Sequence, residues 1–381
     1  MKIVWISKIT MDTIHKTSRL KMSEALIKRG HNVTLCMAKK FGEKNFASDY
    51  VIRFPTIHFP ILSGIFYGLI VFFYFPIFLS RKKIDVIIID FTQIWLPFII
   101  PLKILNIPLI LDIRTLPIGK DESFLFKVSI YLSRYIGDGI TTITPELNTI
   151  LRDVYNLKNK KVGIWSSGVS IEDFKKPDKK ISIQINSTDH KFTLIYHGGI
   201  HPKRGIGNLI KAISGLDSDL KNKIRLLLIG NCTNKINDDL SKLSEKEGVK
   251  KQVTILPPVE YSKIPQYIET ADVGVIPLPP ENIWWRVSAP LKTLEYLAAE
   301  KPIIVTNIPF HRKIFNKGNC GILLESSAPK VIAEGISYMY KNRKELKKMG
   351  REGRKIVEKF YTWNYVAQEF ENFLKTFLSK S

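Results

Sequence analysis

Short apolar runs alternate with longer amphipathic stretches along almost the entire chain. Neighbouring parallel strands need a crossover between them, usually a helix, so this alternation predicts an α/β fold of doubly wound parallel sheets. The predicted strands are Lys2–Ser7, Asn32–Cys36, Asp85–Asp90, Leu109–Asp112, Gly139–Ile143, Val162–Trp165, Phe192–Tyr196, Ile224–Ile229, Val253–Leu256, Val273–Ile276, Ile303–Thr306 and Gly321–Leu324.

Two domains are predicted by the length of the chain and by one polar stretch near its middle. A chain of 381 residues is long enough to bury two separate cores. Residues 173–189 are polar and lack periodicity, which is typical of a domain boundary. We therefore predict domains at 1–175 and 176–360, followed by a C-terminal segment, 361–381, most of which has the pattern of one amphipathic helix.

The cysteines and the start of the chain bear on its compartment. Cys36, Cys232 and Cys320 lie far apart, which argues against a disulfide framework and against a zinc site. Residues 1–8 have too short an apolar core for a signal peptide and read as a buried strand. We therefore expect the protein on the cytoplasmic side of the membrane.

The chain has a formal net charge of +23, which an anionic partner would explain. Nucleic acid, an anionic membrane surface and anionic substrates are the three classes to consider. The lysines are scattered and no recognition helix or RNA-binding signature accompanies them, so we expect no nucleic acid. A generally lysine-rich composition is the remaining alternative.

Residues 60–79 carry no charge and are followed by the basic triplet Arg81, Lys82 and Lys83. The stretch has the length of a transmembrane helix, about 20 residues. A span here would split the predicted sheet, so a buried helix or a helix lying on the membrane surface fits better. With its basic flank on anionic lipid, such a helix predicts a peripheral protein on the inner face of the cell membrane.

One segment, Ser288–Thr306, has the pattern of a loop, a helix that opens at Pro290 and a buried strand. A helix N-terminus carries unpaired N–H groups and partial positive charge, so it favours phosphate. Lys292 adds a full charge to the first turn, and Glu295 follows on the same face, where a carboxylate holds ribose hydroxyls. The pattern indicates a nucleotide diphosphate site. The alternative is a solvent-exposed ion pair between Lys292 and Glu295.

The same segment resembles the nucleotide-sugar site of the retaining family-4 glycosyltransferases (glycosyl transferases group 1, GT-B superfamily). Many members carry Ser-x-Pro-x-Lys-x-x-Glu-Tyr-Leu-Ala followed by Lys-Pro and an apolar strand, as this chain does. The resemblance implies two Rossmann-like domains facing a cleft, with the acceptor on the first domain, the donor on the second and the final helix crossing back. It also implies a catalytic role for Lys292 and donor contacts for Ser288, Pro290, Leu291 and Glu295.

A glycine loop after the first strand of the second half resembles another hallmark of the family. Gly198 and Gly199 would let the backbone approach a ligand, and Lys203 and Arg204 end the loop. The resemblance implies that Arg204 is catalytic, because it would stabilise the charge that develops on the leaving diphosphate. Members often have a further arginine at the position of Gly199, so Lys203 or Lys292 would have to supply the missing charge.

Many members also carry a carboxylate eight residues before Glu295, where this chain has Val287. Its absence removes the usual contact to the donor sugar. Trp284, Trp285 and Arg286 lie next to this gap. They either shape the sugar pocket or pack between the domains.

No metal or other cofactor is expected, because cations of the protein would stabilise the leaving diphosphate. The one clear Asp-x-Asp pair, Asp217 and Asp219, precedes the strand at Ile224. It therefore falls at the amino edge of the sheet, away from the crevice where open α/β sheets bind ligands.

In the first half, Asp112 and Arg114 end a predicted strand and resemble an Asp/Glu-x-Arg pattern of some members. Asp112 would contact the sugar or assist the acceptor hydroxyl, and Arg114 would hold an acceptor phosphate. An ion pair that closes the strand is the equally weighted alternative. The loop 8–15, where members usually carry a glycine-rich acceptor loop, has no glycine, which leaves the acceptor open.

We therefore predict a retaining, metal-independent glycosyltransferase. It would move a sugar from a nucleotide-diphosphate donor to a hydroxyl of an envelope glycan or a lipid-linked acceptor. A nucleotide-sugar epimerase on the same fold is one alternative. A non-catalytic subunit that keeps the fold and partners an active transferase is the other.

Overall fold

The computed structural model describes residues 1–13, 16–43, 46, 48–57, 59–91, 96–116, 120–157, 159–175 and 191–379, apart from the side chains of residues 60, 61, 96, 97, 120–123 and 125. Most of the polar stretch at 173–189 and the end of the loop 8–15 lie outside the described residues. The chain divides into unit 1, Met1–Ser167 with Trp363–Ser381, and unit 2, Gly168–Thr362. The polar stretch predicted a boundary after residue 175. The division between the units falls earlier, between Ser167 and Gly168.

Within the described residues, unit 1 contains a parallel sheet of seven strands in the order β3-β2-β1-β4-β5-β6-β7. The six strands predicted for this half are present, with ends that shift by a few residues. The strands are β1 (Lys2–Ser7), β2 (Asn32–Lys40), β3 (Val51–Thr56), β4 (Val86–Asp90), β5 (Leu109–Ile113), β6 (Gly139–Thr142) and β7 (Lys161–Ile164).

Strand β3 was not predicted, because Arg53 and Pro55 interrupt its apolar run. It lies at the edge of the sheet and pairs with β2, whose residues Leu35 to Lys40 face it in register. Proline is tolerated at such an edge, since the outer side of the strand needs no ladder hydrogen bonds. This pairing also explains why β2 runs on to Lys40 and does not stop at Cys36.

The helices of unit 1 lie on both faces of its sheet: α1 (Lys16–Lys28), α2 (Pro60–Phe73), α3 (Phe75–Ser80), α4 (Lys120–Ile136) and α5 (Pro145–Asp153), with a 3-10 helix at Leu96–Leu105. Parallel crossovers are right-handed, so connections that run in the same direction along the sheet share a face. The connections β3–β4, β4–β5 and β5–β6 run one way, and β1–β2 runs the other. Hence α2, α3, the 3-10 helix and α4 share one face, and α1 covers the other.

The shared face is a continuous hydrophobic core. Tyr67 and Val71 of α2, and Ile99 and Leu102 of the 3-10 helix, are fully buried against alternate residues of β4 and β5. The stretch 60–79 is therefore two helices that break near Tyr74, and one of their sides is part of this core. In the part of the chain that the structure describes, no helix combines the length and the apolarity that crossing a bilayer requires.

Unit 2 contains, in its described residues, a parallel sheet of six strands in the order β10-β9-β8-β11-β12-β13. The strands are β8 (Phe192–His197), β9 (Ile224–Ile229), β10 (Val253–Leu256), β11 (Val273–Ile276), β12 (Ile303–Thr306) and β13 (Gly321–Leu324). The last five have the predicted bounds, and β8 is longer by His197. The chain leaves β8 toward β9 on one side and later returns to β11 on the other, so β8 and β11 flank the point where the strand order reverses.

The helices of unit 2 are α6 (Ile206–Ser214), α7 (Ser218–Lys223), α8 (Asn234–Lys246), α9 (Ile264–Glu269), α10 (Ile283–Arg286), α11 (Leu291–Ala298), α12 (Pro309–Phe315), α13 (Pro329–Lys341) and α14 (Leu346–Phe360). Among the residues described for this unit, 3-10 turns lie at Ile171–Phe174, Pro202–Arg204 and Tyr261–Lys263.

The last helix, α15 (Trp363–Leu378), belongs to unit 1. It packs on α1, and Nε of Arg29, directly after α1, lies 2.6 Å from Glu371 Oε2. Its Phe370 ring packs against Trp5 and Trp165, with ring centroids 6.1 and 5.8 Å away. Helix α15 therefore closes the α1 side of the unit 1 core.

Candidate functional site

The candidate site of unit 2 lies at the carboxyl end of β8, where the strand order of the sheet reverses. Open α/β sheets bind ligands in the crevice at this point. The loop after β8 and the first turns of α11 meet here, since a Cβ added to Gly198 would lie 3.2 Å from Lys292 Nζ. The two segments that the sequence singled out are thus brought together.

The glycine loop has a backbone that other residues would strain or obstruct. Gly198 has φ +110°, a conformation that side chains with a Cβ rarely adopt. Gly205, which ends the loop, has φ +76°, and a Cβ there would lie 2.0 Å from the carbonyl oxygen of Pro277. The loop therefore keeps a close, side-chain-free path past the end of β8.

Helix α11 begins at Leu291, and Pro290 is its N-cap residue with extended backbone. The helix thus starts one residue after the predicted opening at Pro290. The helix is held against the sheet by Tyr296, whose ring lies so close to Gly274 of β11 that a Cβ there would be 2.3 Å from the ring. Its hydroxyl accepts a 3.0 Å hydrogen bond from the backbone N–H of His197, so the end of β8 and the first turns of α11 form one rigid corner.

Lys292 is 8% exposed, and its Nζ lies 3.8 Å from the centroid of the Tyr196 ring. Within the described residues this ammonium has no hydrogen-bond partner. Burial, and then the nearby charge of Arg204, lower the pKa of Lys292 well below its ordinary value. A buried amine without a partner is costly unless a ligand supplies the missing acceptors. The site is therefore suited to an anionic group beside Gly198.

Glu295 is 3% exposed and is held by two side chains from other elements. The hydroxyl of Tyr261 donates to Oε1 at 2.9 Å, and His197 Nε2 lies 3.2 Å from Oε2. The alternative of a solvent-exposed pair between Lys292 and Glu295 is therefore wrong. Both side chains are buried, and Glu295 is paired with other residues.

Lys203 and Arg204 each lie over a tryptophan of α10. Lys203 Nζ is 4.5 Å from the Trp284 ring centroid, and Arg204 Cζ is 4.8 Å from that of Trp285. The Trp285 indole N–H also donates to the Lys203 carbonyl at 2.9 Å. The tryptophan pair thus fixes the cations of the glycine loop by cation–π contact.

Gly199 and Val287 are the two positions at which the sequence lacks a charged residue that the resemblance implied. Gly199 lies beside Arg204, since a Cβ there would be 3.8 Å from Arg204 Nε. Val287 is 2% exposed and packs inward at the end of α10. Arg204 therefore lies alongside Gly199, where the resemblance implied a second arginine, and position 287 offers no polar group to a sugar.

Three further predicted donor residues lie at the same corner. Ser288 directs its hydroxyl to the Trp285 carbonyl, at 2.9 Å, so it closes the turn after α10. Pro290 and Leu291 are partly exposed at the start of α11. The structure places all three next to Lys292 and shows a structural hydrogen bond for the Ser288 side chain.

Asp112, predicted as a catalytic residue of the first domain, is 1% exposed. Its Oδ1 accepts hydrogen bonds from Thr141 Oγ1 at 2.8 Å and from Trp165 Nε1 at 3.0 Å, and Arg19 Nη2 lies 3.5 Å from Oδ2. Burial raises the pKa of Asp112, opposed by the charges of Arg114 and Arg19. This arrangement favours a structural role for Asp112 over direct contact with a substrate, although its partners are Thr141, Trp165 and Arg19 and differ from the Arg114 of the predicted ion pair.

Arg114 is partly exposed, in contrast to Asp112. Its guanidinium stacks on the Trp165 ring, 3.5 Å from the centroid, and Nη1 donates to the Trp165 carbonyl at 2.6 Å. Burial lowers the pKa of Arg114 to about 9. The Trp165 ring and carbonyl therefore hold the guanidinium of Arg114 in a fixed orientation.

Sequence reasoning missed the side chains that orient these residues. In unit 1 these include Arg19 and Asp90, whose side chains lie 3.0 Å apart in the core beside Asp112. In unit 2 they are His197, Tyr196 and Tyr261. For His197, its position directly before the glycine pair was a local sequence signal that it belongs to the site. The sequence around Tyr261 gave no such signal.

Asp217 and Asp219 lie at the start of α7, which leads into the amino end of β9, as predicted. In the described part of the chain, no three His, Cys, Asp or Glu side chains are grouped as a metal site would need. The pair is therefore at the opposite end of the sheet from the glycine loop.

Family models match both halves of the chain: Glycosyltransferase Family 4 over residues 18–173 and glycosyl transferases group 1 over residues 177–356. The uncharacterized glycosyltransferase MJ1607 of Methanocaldococcus jannaschii is 22% identical over 380 residues, covering 93% of this chain and 92% of that protein. MJ1069 of the same organism is 23% identical over 263 residues, and the match covers 66% of this chain and 63% of that relative.

Among solved structures, Anabaena Alr3699/HepE in complex with UDP and glucose has a TM-score of 0.73 at 14% identity. The match covers 99% of this chain and 100% of that chain. At this identity the likeness shows the fold, which is GT-B with two Rossmann-like domains. Because the two family models together match residues 18–173 and 177–356, the chain belongs to the glycosyltransferases of family 4 and group 1.

Proposed function

We propose that the protein transfers a sugar, with retention of anomeric configuration, from a nucleoside-diphosphate donor to an acceptor hydroxyl. The observation that carries this proposal is the buried amine of Lys292. Lys292 lies at the start of α11, and its amine is directed toward Gly198 in the loop after β8. The amine has no hydrogen-bond partner among the described residues. A diphosphate beside Gly198 would give this amine the acceptors that it lacks.

Three features would stabilise the leaving diphosphate together. Lys292 and Arg204 supply full positive charges, and the first turn of α11 supplies N–H groups and the positive end of its dipole. Interactions of this kind accelerate the reaction most when the charge develops during bond breaking. These cations make a metal-independent reaction our proposal.

Glu295 would bind the ribose of the donor. Its two oxygens have about four acceptor sites, of which Tyr261 uses one and His197 lies beside a second. The remaining sites would accept the ribose hydroxyls. Because protein groups already orient the carboxylate, little conformational freedom is lost when the nucleotide binds.

The chemical step would proceed on one face of the sugar. The bond between the anomeric carbon and the phosphate oxygen breaks, and a bond forms between that carbon and the acceptor oxygen. The acceptor proton passes to the departing phosphate oxygen, so atoms and charge balance without a protein base. Under this scheme Asp112 acts as a positioning residue, and Arg114 holds an anionic group of the acceptor.

For the substrates, we propose UDP-sugars as the first donors to test, because HepE, which shares the fold, was solved with UDP and glucose. We propose a hydroxyl of an envelope glycan or a lipid-linked acceptor, which is consistent with the apolar surface of unit 1 described below.

The test is to incubate the full chain with labelled nucleotide sugars, with and without a mixture of lipid-linked glycan acceptors. Acceptor-dependent release of nucleoside diphosphate supports transfer. Conversion of the free donor to another sugar without an acceptor would indicate an epimerase. Failure to bind any nucleotide in calorimetry would overturn the donor site and favour a non-catalytic subunit.

A further inference from the structure

Helix α2 of unit 1 is apolar on its outer side as well as on its inner side. Its outward residues recur every three or four positions, and their exposed fractions run from 38% to 52% and reach 67% at Phe73. A surface helix normally presents polar and charged residues to water. The exposed residues are Leu62, Ile65, Phe66, Leu69, Phe72 and Phe73.

Helix α4 repeats this pattern. Phe124, Val128, Tyr131 and Tyr135 recur at helical spacing and are 42% to 69% exposed. In the same helix Phe126 and Ile130 are buried against the core. The row of exposed aromatic and aliphatic residues therefore lies on the solvent side of α4.

The 3-10 helix at Leu96–Leu105 joins these two rows. It packs against both α2 and α4, and its Ile100 and Ile104 are 51% and 79% exposed. All three elements cover the same face of the sheet, as the handedness of the connections requires. We call the exposed side chains of these elements, with Ile77 of α3, the apolar surface.

Positive charge borders the apolar surface. Arg81, Lys82 and Lys83 follow α3 and are exposed, and Lys82 Nζ lies 4.0 Å from the ring of Phe78. No acidic residue occurs in the sequence from Phe59 to Ile84. Lys127 is exposed on α4. The sequence of α4 also has Asp121 and Glu122, and Asp85 follows the basic triplet, so it is the α2 and α3 side of the border, at Arg81, Lys82 and Lys83, that suits an anionic partner.

We propose that the apolar surface docks on an anionic lipid bilayer, with the aromatic and aliphatic side chains inserted at the level of the headgroups. Exposed apolar area of this extent marks an interaction site. A second copy of the chain, paired symmetrically through this surface, would bring the same basic triplets near each other, and like charges oppose that. Anionic headgroups complement both the apolar residues and the charges.

The proposal goes beyond the transfer reaction and does not depend on it. Docking needs no nucleotide and uses residues of unit 1 alone, whereas the donor site is built from unit 2. Bilayer docking agrees with the peripheral location expected from residues 60–83. The surface also includes α4 and the 3-10 helix, which the sequence did not indicate.

The test is co-sedimentation of the full chain with vesicles of phosphatidylcholine alone and of an equal mixture with phosphatidylglycerol. We expect binding to the mixed vesicles that weakens with added salt. Replacing Arg81, Lys82 and Lys83 together by Gln should lower that affinity by about fivefold per charge. The combined variant Phe73→Ser, Ile104→Ser, Phe124→Ser should lose at least about tenfold in binding to the mixed vesicles.

The control is Tyr338→Ser, which removes an aromatic ring of unit 2 that is 52% exposed and should bind as the wild type does. Urea unfolding of the combined variant checks that it folds. Wild-type protein that stays in solution with the mixed vesicles overturns the proposal, as does a combined variant that binds unchanged. A solution dimer that this variant dissociates, without vesicle binding, would assign the surface to a second copy. Nucleotide binding measured in parallel separates these results from a failure of the donor site.

Discussion

The hydroxyl of Tyr261 donates a 2.9 Å hydrogen bond to Glu295 Oε1, although 34 residues separate the two in sequence. Burial, and then the charge of Glu295, raise the pKa of Tyr261, so its hydroxyl stays protonated and remains a donor. The Tyr261 ring also meets Phe174 edge-on, with centroids 6.2 Å apart. Tyr261 therefore positions the carboxylate that we assign to the ribose.

Removing this single hydroxyl tests the assignment. Tyr261→Phe keeps the ring and its contact with Phe174 but loses a hydrogen bond to a charged group, which is worth about 1.5–3 kcal/mol. We expect KM for the donor to rise by about tenfold or more, with a smaller change in kcat. Steady-state kinetics over a range of donor concentrations measures both constants.

Tyr338→Phe on α13 is the control for Tyr261→Phe, because its ring is exposed and lies outside the site. An unchanged donor KM for Tyr261→Phe, with acceptor saturating, would contradict the role of Tyr261. A fall in kcat alone would instead place Tyr261 near the reacting atoms.

How far the sequence predicted this site depends on how local each signal is. The helix start at Pro290, with Lys292 in its first turn, lies within one short segment, and so does the glycine pair, so their geometry was predictable. The partners of Glu295 come from β8 and from the turn at Tyr261, which only tertiary folding brings together. An i,i+3 spacing says which residues share a helix face and does not say whether that face is buried.

Asp112 is expected to act through the fold of unit 1. Asp112→Ala removes the acceptor of two buried donors, Thr141 Oγ1 and Trp165 Nε1, and one of the carboxylates near Arg19. The free energy of unfolding should fall by roughly 2–4 kcal/mol. Urea denaturation followed by circular dichroism measures this change.

Arg114→Gln is the matched comparison for Asp112→Ala. It removes a partly exposed cation stacked on Trp165, so we expect a smaller loss of stability and a higher KM for an anionic acceptor. If Asp112→Ala folds as stably as the wild type and yet loses most of its kcat, Asp112 is a catalytic residue and its positioning role is wrong.

Lys292→Met should have opposite effects on stability and on turnover. In the nucleotide-free protein the amine is buried without a hydrogen-bond partner among the described residues, and methionine fills similar space without that cost. We expect unfolding to require about 1–2 kcal/mol more free energy. Turnover should fall by at least about 100-fold, because the charge on the leaving diphosphate loses a cation.

Lys203→Met is the control for Lys292→Met, since Lys203 is exposed and lies over Trp284. It should leave stability nearly unchanged and lower turnover less. A Lys292→Met protein that is less stable than the wild type would show that the amine has acceptors in the nucleotide-free state.

Stability of the nucleotide-free protein should also depend on pH through Lys292. Its pKa is lowered well below the ordinary 10.5 in the folded state, so the unfolded chain binds more protons at intermediate pH. Stability therefore rises with pH between the lowered pKa of the folded state and 10.5. The cost of burying the charged ammonium is largest below the folded-state pKa. Comparing urea denaturation at several pH values should show this rise in the wild type and a smaller rise in Lys292→Met.

Donor binding should reverse the shift and take up a proton. A bound diphosphate places negative charge beside the Lys292 amine, which raises its pKa and favours the ammonium form. Calorimetric titration of UDP into the full chain at several pH values, in buffers with different ionisation enthalpies, should give a binding enthalpy that varies with the buffer wherever the pH lies between the lowered pKa of free Lys292 and its raised pKa in the complex. The dependence should correspond to net proton uptake by the protein, and Lys292→Met should lose most of it. Binding of UDP with the same proton uptake in both proteins would mean that another group titrates and that the diphosphate does not lie against Lys292.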